Sequence, residues 1–112
     1  MYHILLLYIG MHIDLVTERQ QCRKLLRSYN DADDTDLKLR DSIIKQLFGK
    51  TGENVYVEPP FRCDYGSNIY LGNNFYCNFN CVFLDVNTIT IGENCIIAPG
   101  MYTCTAQHVY CR

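Results

Sequence analysis

The sequence has little net charge, no long apolar run and no export signal, and each absence removes a class of function. A formal charge of -2 at pH 7 supplies no field for a polyanion, so no nucleic acid is expected as a partner. No stretch approaches the roughly 18 apolar residues that cross a bilayer. The apolar segment Ile4 to Ile9 also lacks the Lys/Arg-rich flank and small-residue cleavage site of a secretory signal. The reading is a soluble, cytoplasmic chain with no membrane contact. Hydrophobic residues make up 48% and charged residues 20%, a balance that argues against disorder. At 112 residues there is room for one domain and its appendage.

Cysteine is abundant instead. There are seven, an odd number, and without an export signal a disulfide framework has little support.

Charge divides the chain in two. Residues 1–53 hold eight basic and eight acidic side chains, whereas residues 54–112 hold only Arg62 and Arg112 against Glu58, Asp64, Asp85 and Glu93. The first part is expected to be an N-terminal helical segment. Leu15, Cys22, Leu26 and Tyr29 recur at helical offsets, Leu25 widens the stripe, and Asp14 suits the first turn, which predicts a helix over about 14–29. After the turn chemistry of residues 30–36, Leu37, Ile44, Leu47 and Phe48 share a face and Gly49 suits a C-terminal stop, predicting a second helix over about 36–48. Arg19, Arg23 and Arg27 fall in an i, i+4 row, which is read as a solvated face because like charges at that spacing gain nothing from each other.

From Val55 onward the period is neither that of a helix nor that of a simple strand. Six-residue units align Val57, Cys63, Leu71, Cys77, Phe83, Ile91, Ile97 and Thr103, and two-residue insertions, Ser67-Asn68 and Asn87-Thr88, superimpose Ile69-Tyr70-Leu71-Gly72-Asn73-Asn74 on Ile89-Thr90-Ile91-Gly92-Glu93-Asn94. Three such units close a coil of about 18 residues, the arithmetic of a triangular parallel β-helix occupying 54–112. Leu71 and Ile91 should then stack one rung apart. The repeat also accounts for the cysteines: Cys63 and Cys77 take the inward apolar position, and Cys81 and Cys95 open a unit where a small side chain packs inside. Zinc readings of Cys77-x3-Cys81 or Cys104-x3-His108-x2-Cys111 are the weaker alternatives, since residues spread around a coil do not converge on one tetrahedral centre. No metal is expected.

Several segments carry a resemblance. Leu25-Leu26-Arg27-Ser28-Tyr29-Asn30, the run from Glu58 to Asn68, Asn78-Phe79-Asn80, Leu84-Asp85-Val86, Ile91-Gly92-Glu93-Asn94, Ile97-Ala98-Pro99-Gly100 and Thr105-Ala106-Gln107-His108 resemble the maltose and galactoside O-acetyltransferases of the hexapeptide-repeat superfamily. The resemblance implies a left-handed β-helix preceded by two short helices, a homotrimer, acetyl-coenzyme A as co-substrate and a sugar hydroxyl as acceptor. By matching position, His108 would be the catalytic general base and Asn78 would help hold the oxyanion. Asp64 would be an acceptor-binding side chain, with Asp85 near the same cleft. The relatives' proline after the histidine is replaced by Val109, the acidic residue they carry after a Leu-Tyr pair is absent after Leu7-Tyr8, and the chain ends at Arg112. These departures suggest a C-terminally truncated relative, and the alternative function is a non-catalytic hexapeptide-repeat protein that only oligomerises. A carbonic anhydrase-like zinc site is disfavoured, because only His108 of the three histidines falls on the coil.

Overall fold

The computed structural model describes residues 13–104 and 107–109, with side chains over 14–104. Among the described residues two helices lead: α1, Ile13–Asp31, and α2, Leu37–Leu47. Both extend within a residue or two of their expected bounds. Between them Asp33 accepts from the backbone N–H and hydroxyl of Thr35 at 2.8 and 2.6 Å, and Asp36 caps α2 by accepting from the Leu39 N–H at 3.2 Å. These bonds satisfy donors that the helix itself leaves free.

Helix faces differ from the expected stripes at their outer ends. Cys22, Leu26 and Tyr29 are buried, but Leu15 lies at the exposed edge. Leu37 is 61% exposed, and the inner face of α2 is completed by Ile43 and by Arg40, which is only 3% exposed. Arg40 is not wasted there. Its guanidinium donates to the Val57 carbonyl at 3.0 Å and to the Tyr29 hydroxyl at 3.3 Å, and it lies over the rings of Tyr29 and Tyr56 at 5.3 and 5.1 Å. Tyr29 in turn donates its hydroxyl proton to the same Val57 carbonyl. A buried cation is tolerated when most of its donors are used and aromatic faces surround it, and here only Nε is left without a partner.

Nine strands follow among the described residues: β1 Val55–Val57, β2 Phe61–Cys63, β3 Ile69–Leu71, β4 Phe75–Cys77, β5 Cys81–Leu84, β6 Ile89–Ile91, β7 Ile96–Ile97, β8 Tyr102–Cys104 and β9 Gln107–Val109. They form three parallel sheets, ordered β1-β4-β7, β2-β5-β8 and β3-β6-β9. Each strand pairs with the one three places later, so every third strand returns to the same wall. Val57 pairs with Cys77 and Cys77 with Ile97; Cys63 with Phe83 and Phe83 with Thr103; Leu71 with Ile91. The expected prism is therefore observed, with Leu71 directly beneath Ile91.

The inward rows close the core. Phe61, Phe75 and Phe83 meet edge to face with centroids 5.2 and 6.4 Å apart, and Phe48 joins from the end of α2 at 5.7 Å from Phe61. Helices and coil thus share one apolar cluster, each large side chain contributing about 1.5–3 kcal/mol on burial. Lys50 forms a parallel bridge to Tyr70, and Gly49 donates to the Ile69 carbonyl at 3.0 Å, so the chain leaving α2 covers the start of the third wall. Gly49 has no positive φ, contrary to a left-handed helix stop. Its reason is proximity: a Cβ there would lie 2.2 Å from the Ser67 carbonyl oxygen.

Corners use asparagine. Asn54, Asn74 and Asn94 adopt φ of 59, 58 and 57° at the same corner of successive coils, and their amides bond in a ladder at 3.0 and 2.9 Å. A short amide side chain tolerates this backbone and links the rungs at once. Cys77 and Cys81 are buried free thiols, as packing predicts, and burial pushes the Cys77 thiol far above its ordinary value. Cys95 is buried as expected but is also disulfide-bonded, which corrects the reading of packing alone.

Candidate functional site

The corner between the second and third walls gathers the first group of expected residues. It contains 64–68 in one coil and 85–88 in the next. Asp85 organises this corner. Its side chain is fully buried, Oδ1 accepts from the backbone N–H of Asp64 at 2.9 Å and of Tyr65 at 3.0 Å, and Oδ2 accepts from the Asn68 N–H at 3.3 Å. Asn68 returns the contact, donating its amide to the Asp85 carbonyl at 2.8 Å. Burial raises the Asp85 carboxyl pKa, opposed by the N–H groups of Tyr65, Asp64, Asp85 itself and Asn68. Asp85, expected near the acceptor cleft, uses its oxygens to bend the loop below, and no surface of the residue is exposed.

Asp64 itself is half-buried beside that loop. Helix α1 adds a residue that the sequence reading dismissed. Arg19 donates to the Tyr65 hydroxyl at 3.1 Å, lies 5.6 Å from the centre of that ring, and is half-buried, whereas Arg23 and Arg27 are exposed as expected. The signal was present: Arg19 stands three residues before Cys22 on the buried stripe, not merely in an arginine row. Gly66 completes the turn at φ 78°, with the Leu47 Cδ1 and carbonyl oxygen each 2.6 Å from where a Cβ would stand.

Asn78 stands at a different corner, between the first and second walls. Its backbone N–H and its Nδ2 both donate to the Ile97 carbonyl, at 3.1 and 2.8 Å. One of the two amide protons is thereby used and the group is held in place, leaving the other proton for a further acceptor. His108 belongs to the third wall, where its backbone is paired with Thr90; its imidazole lies outside the described residues, as does the divergent segment 1–12. Asp64 and Asp85 thus stand at the corner between the second and third walls in successive coils and the His108 backbone lies on the third wall of the coil after, whereas Asn78 stands at another corner. Among the described residues no group of three His, Cys, Asp or Glu side chains is arranged to hold a metal.

The same architecture recurs in solved structures. The chain superimposes on a maltose O-acetyltransferase from Clostridium difficile with a TM-score of 0.77 and 45% identity, over 79% of this chain and 47% of that one. It superimposes on galactoside acetyltransferase in complex with coenzyme A with a TM-score of 0.79 and 41% identity, over 80% of this chain and 45% of that one. Residues 6–52 match the maltose acetyltransferase hexapeptide capping motif. The chain belongs to the maltose and galactoside acetyltransferase family. Its coil is accordingly the expected left-handed parallel β-helix preceded by two helices. Galactoside O-acetyltransferase of Escherichia coli is 39% identical over 102 residues, covering 91% of this chain and 50% of that protein. The chain spans about half the length of the curated relatives it matches.

Proposed function

We propose that this chain works as an acetyl-coenzyme A dependent O-acetyltransferase on a sugar hydroxyl. The observation that carries the proposal is the superposition, at 41% identity, on galactoside acetyltransferase in complex with coenzyme A. In this reading His108 is the general base. It takes the proton of the acceptor hydroxyl as that oxygen attacks the thioester carbonyl, a transfer that a neutral imidazole can perform. The tetrahedral intermediate then collapses by breaking the C–S bond, and the proton held by the imidazole passes to the departing coenzyme A thiolate. Asn78 directs its remaining amide proton at the oxyanion, its other bond to Ile97 fixing the direction. Asp64 and Arg19 orient acceptor hydroxyls, and Asp85 shapes their loop from beneath.

Asn78 and His108 belong to different walls of one prism, which supports a site completed by a neighbouring copy in a homotrimer. The outer surface supplies apolar residues for such contacts: Ile96 is 74% and Tyr102 68% exposed, with Phe79 and Met101 between them. Residues 1–53 form one unit, whose described helices cover the start of the coil of the unit 54–112, and the cytoplasm is the compartment this reading assigns.

Coenzyme A release from acetyl-coenzyme A in the presence of a galactoside or maltose tests the proposal. His108→Ala should lower kcat by about 10²–10⁴ and leave assembly intact. An unchanged rate would remove His108 from the chemistry. Absence of coenzyme A binding by calorimetry would leave a coil that only oligomerises.

A further inference from the structure

Helix α1 is joined to the first coil by an antiparallel row of clasps. Arg19 meets Tyr65, Cys22 meets Cys63, and Asn30 meets Phe61, donating to its carbonyl at 3.0 Å and accepting from its N–H at 2.9 Å. The outer clasps are hydrogen bonds. The middle one is a pair of free thiols, one on the helix and one at the end of β2, whose sulfur atoms are 3.5 Å apart. No step of the proposed acetyl transfer uses either sulfur.

Two features separate this pair from the other cysteines. It crosses between two elements far apart in sequence, whereas Cys77 and Cys81 lie on consecutive strands within the coil. The partners also differ in access, since Cys22 is 1% exposed and Cys63 is half-buried at the rim of the 64–68 corner. A disulfide needs the sulfurs at about 2.05 Å, so an approach of about 1.5 Å closes the gap. Side-chain rotation in a seam already clasped on both sides can supply such a shift. Each thiol holds the other: the Cys22 sulfur also lies 3.7 Å from the Cys63 carbonyl oxygen, keeping it on the partner's side of the helix.

We propose that Cys22 and Cys63 form a reversible intrachain disulfide when the protein meets a hydroperoxide, stapling α1 to the first coil. Cys63 is the less buried partner. Its sulfur attacks the peroxide oxygen, the O–O bond breaks, and a sulfenic acid forms with release of water or an alcohol. Cys22 then attacks that sulfur, its proton leaving with the hydroxyl group as water. Two thiols are oxidised by two electrons and the peroxide is reduced; a dithiol reverses the change. Contact between Cys22 and Cys63, together with burial, holds the Cys63 thiol well above its ordinary pKa, so the reaction should be slower than at an activated thiol. The staple fixes Arg19, one turn away on α1, against Tyr65 beside Asp64. That consequence for acceptor binding rests on the acetyltransferase reading; the crosslink does not.

The test is peptide mapping of the folded wild-type chain after treatment with hydrogen peroxide and alkylation in denaturant. The expected result is a peptide pair joined through Cys22 and Cys63, absent after dithiothreitol and absent from Cys22→Ser, where exposed Cys104 still oxidises. The stapled chain should also unfold at higher urea than the reduced one. Finding Cys104 oxidised while Cys22 and Cys63 both remain alkylatable, or finding Cys63 joined to a different cysteine, would overturn the proposal. Neither readout depends on acetyl transfer, so failure of the enzymatic reading leaves it standing.

Discussion

Buried polar residues decide the local shape of the site more than its exposed ones. Asp85 is the clearest case, because three backbone N–H groups of another coil end on its carboxylate. Replacing it by Ala leaves those donors without an acceptor, at about 1–3 kcal/mol for each buried group. We expect Asp85→Ala to lose about 3 kcal/mol of stability in urea unfolding, and a change below about 0.5 kcal/mol would mean that the loop does not depend on it. The identity of Asp85 was legible in the sequence, but its direction was not. A carboxylate in a repeat corner can face a cleft or the loop below, and only the rung spacing decides. Arg40 was missed for a related reason: a charged residue on a helix is assigned to solvent unless its partners are known, and Val57 and Tyr29 are remote in sequence.

At the scale of elements the repeat was the most readable feature, because inward positions must recur wherever strands stack. Val57, Leu71, Cys77, Phe83, Ile91, Ile97 and Thr103 are all buried, and Cys63 is half-buried. Truncating the centre of this core, Phe83→Ala, should cost about 3–5 kcal/mol, measured by thermal or urea unfolding. The asparagine ladder allows a finer dissection. Asn74→Gly keeps the positive φ and loses only the amide bonds, whereas Asn74→Ala loses both the bonds and the backbone preference, which adds about 1–2 kcal/mol. Equal losses from the two substitutions would show that backbone conformation contributes nothing at that corner. Leu37 shows where the pattern misleads: it matches the helical period, yet it stands at the first turn, where the neighbouring coil does not reach, and Arg40 and Ile43 cover the inner face instead.

For the molecule as a whole, the order of walls distributes the expected site residues. Asp64 and Asp85 lie at the corner between the second and third walls, His108 on the third wall and Asn78 at the corner between the first and second. The repeat assigns each unit to a wall, since every third unit returns to the same one, but it does not tell which surfaces of two copies meet. The central claim is that catalysis needs His108 of one copy and Asn78 of a neighbour, and complementation measures this directly. Asn78→Ala and His108→Ala are each expected to be nearly inactive alone. Mixed in equal amounts under conditions that exchange subunits, they should regain about a quarter of the wild-type rate, because each site draws one residue from each of two copies. Mixtures that stay as inactive as either variant, with exchange verified by mass, would contradict a site shared between copies.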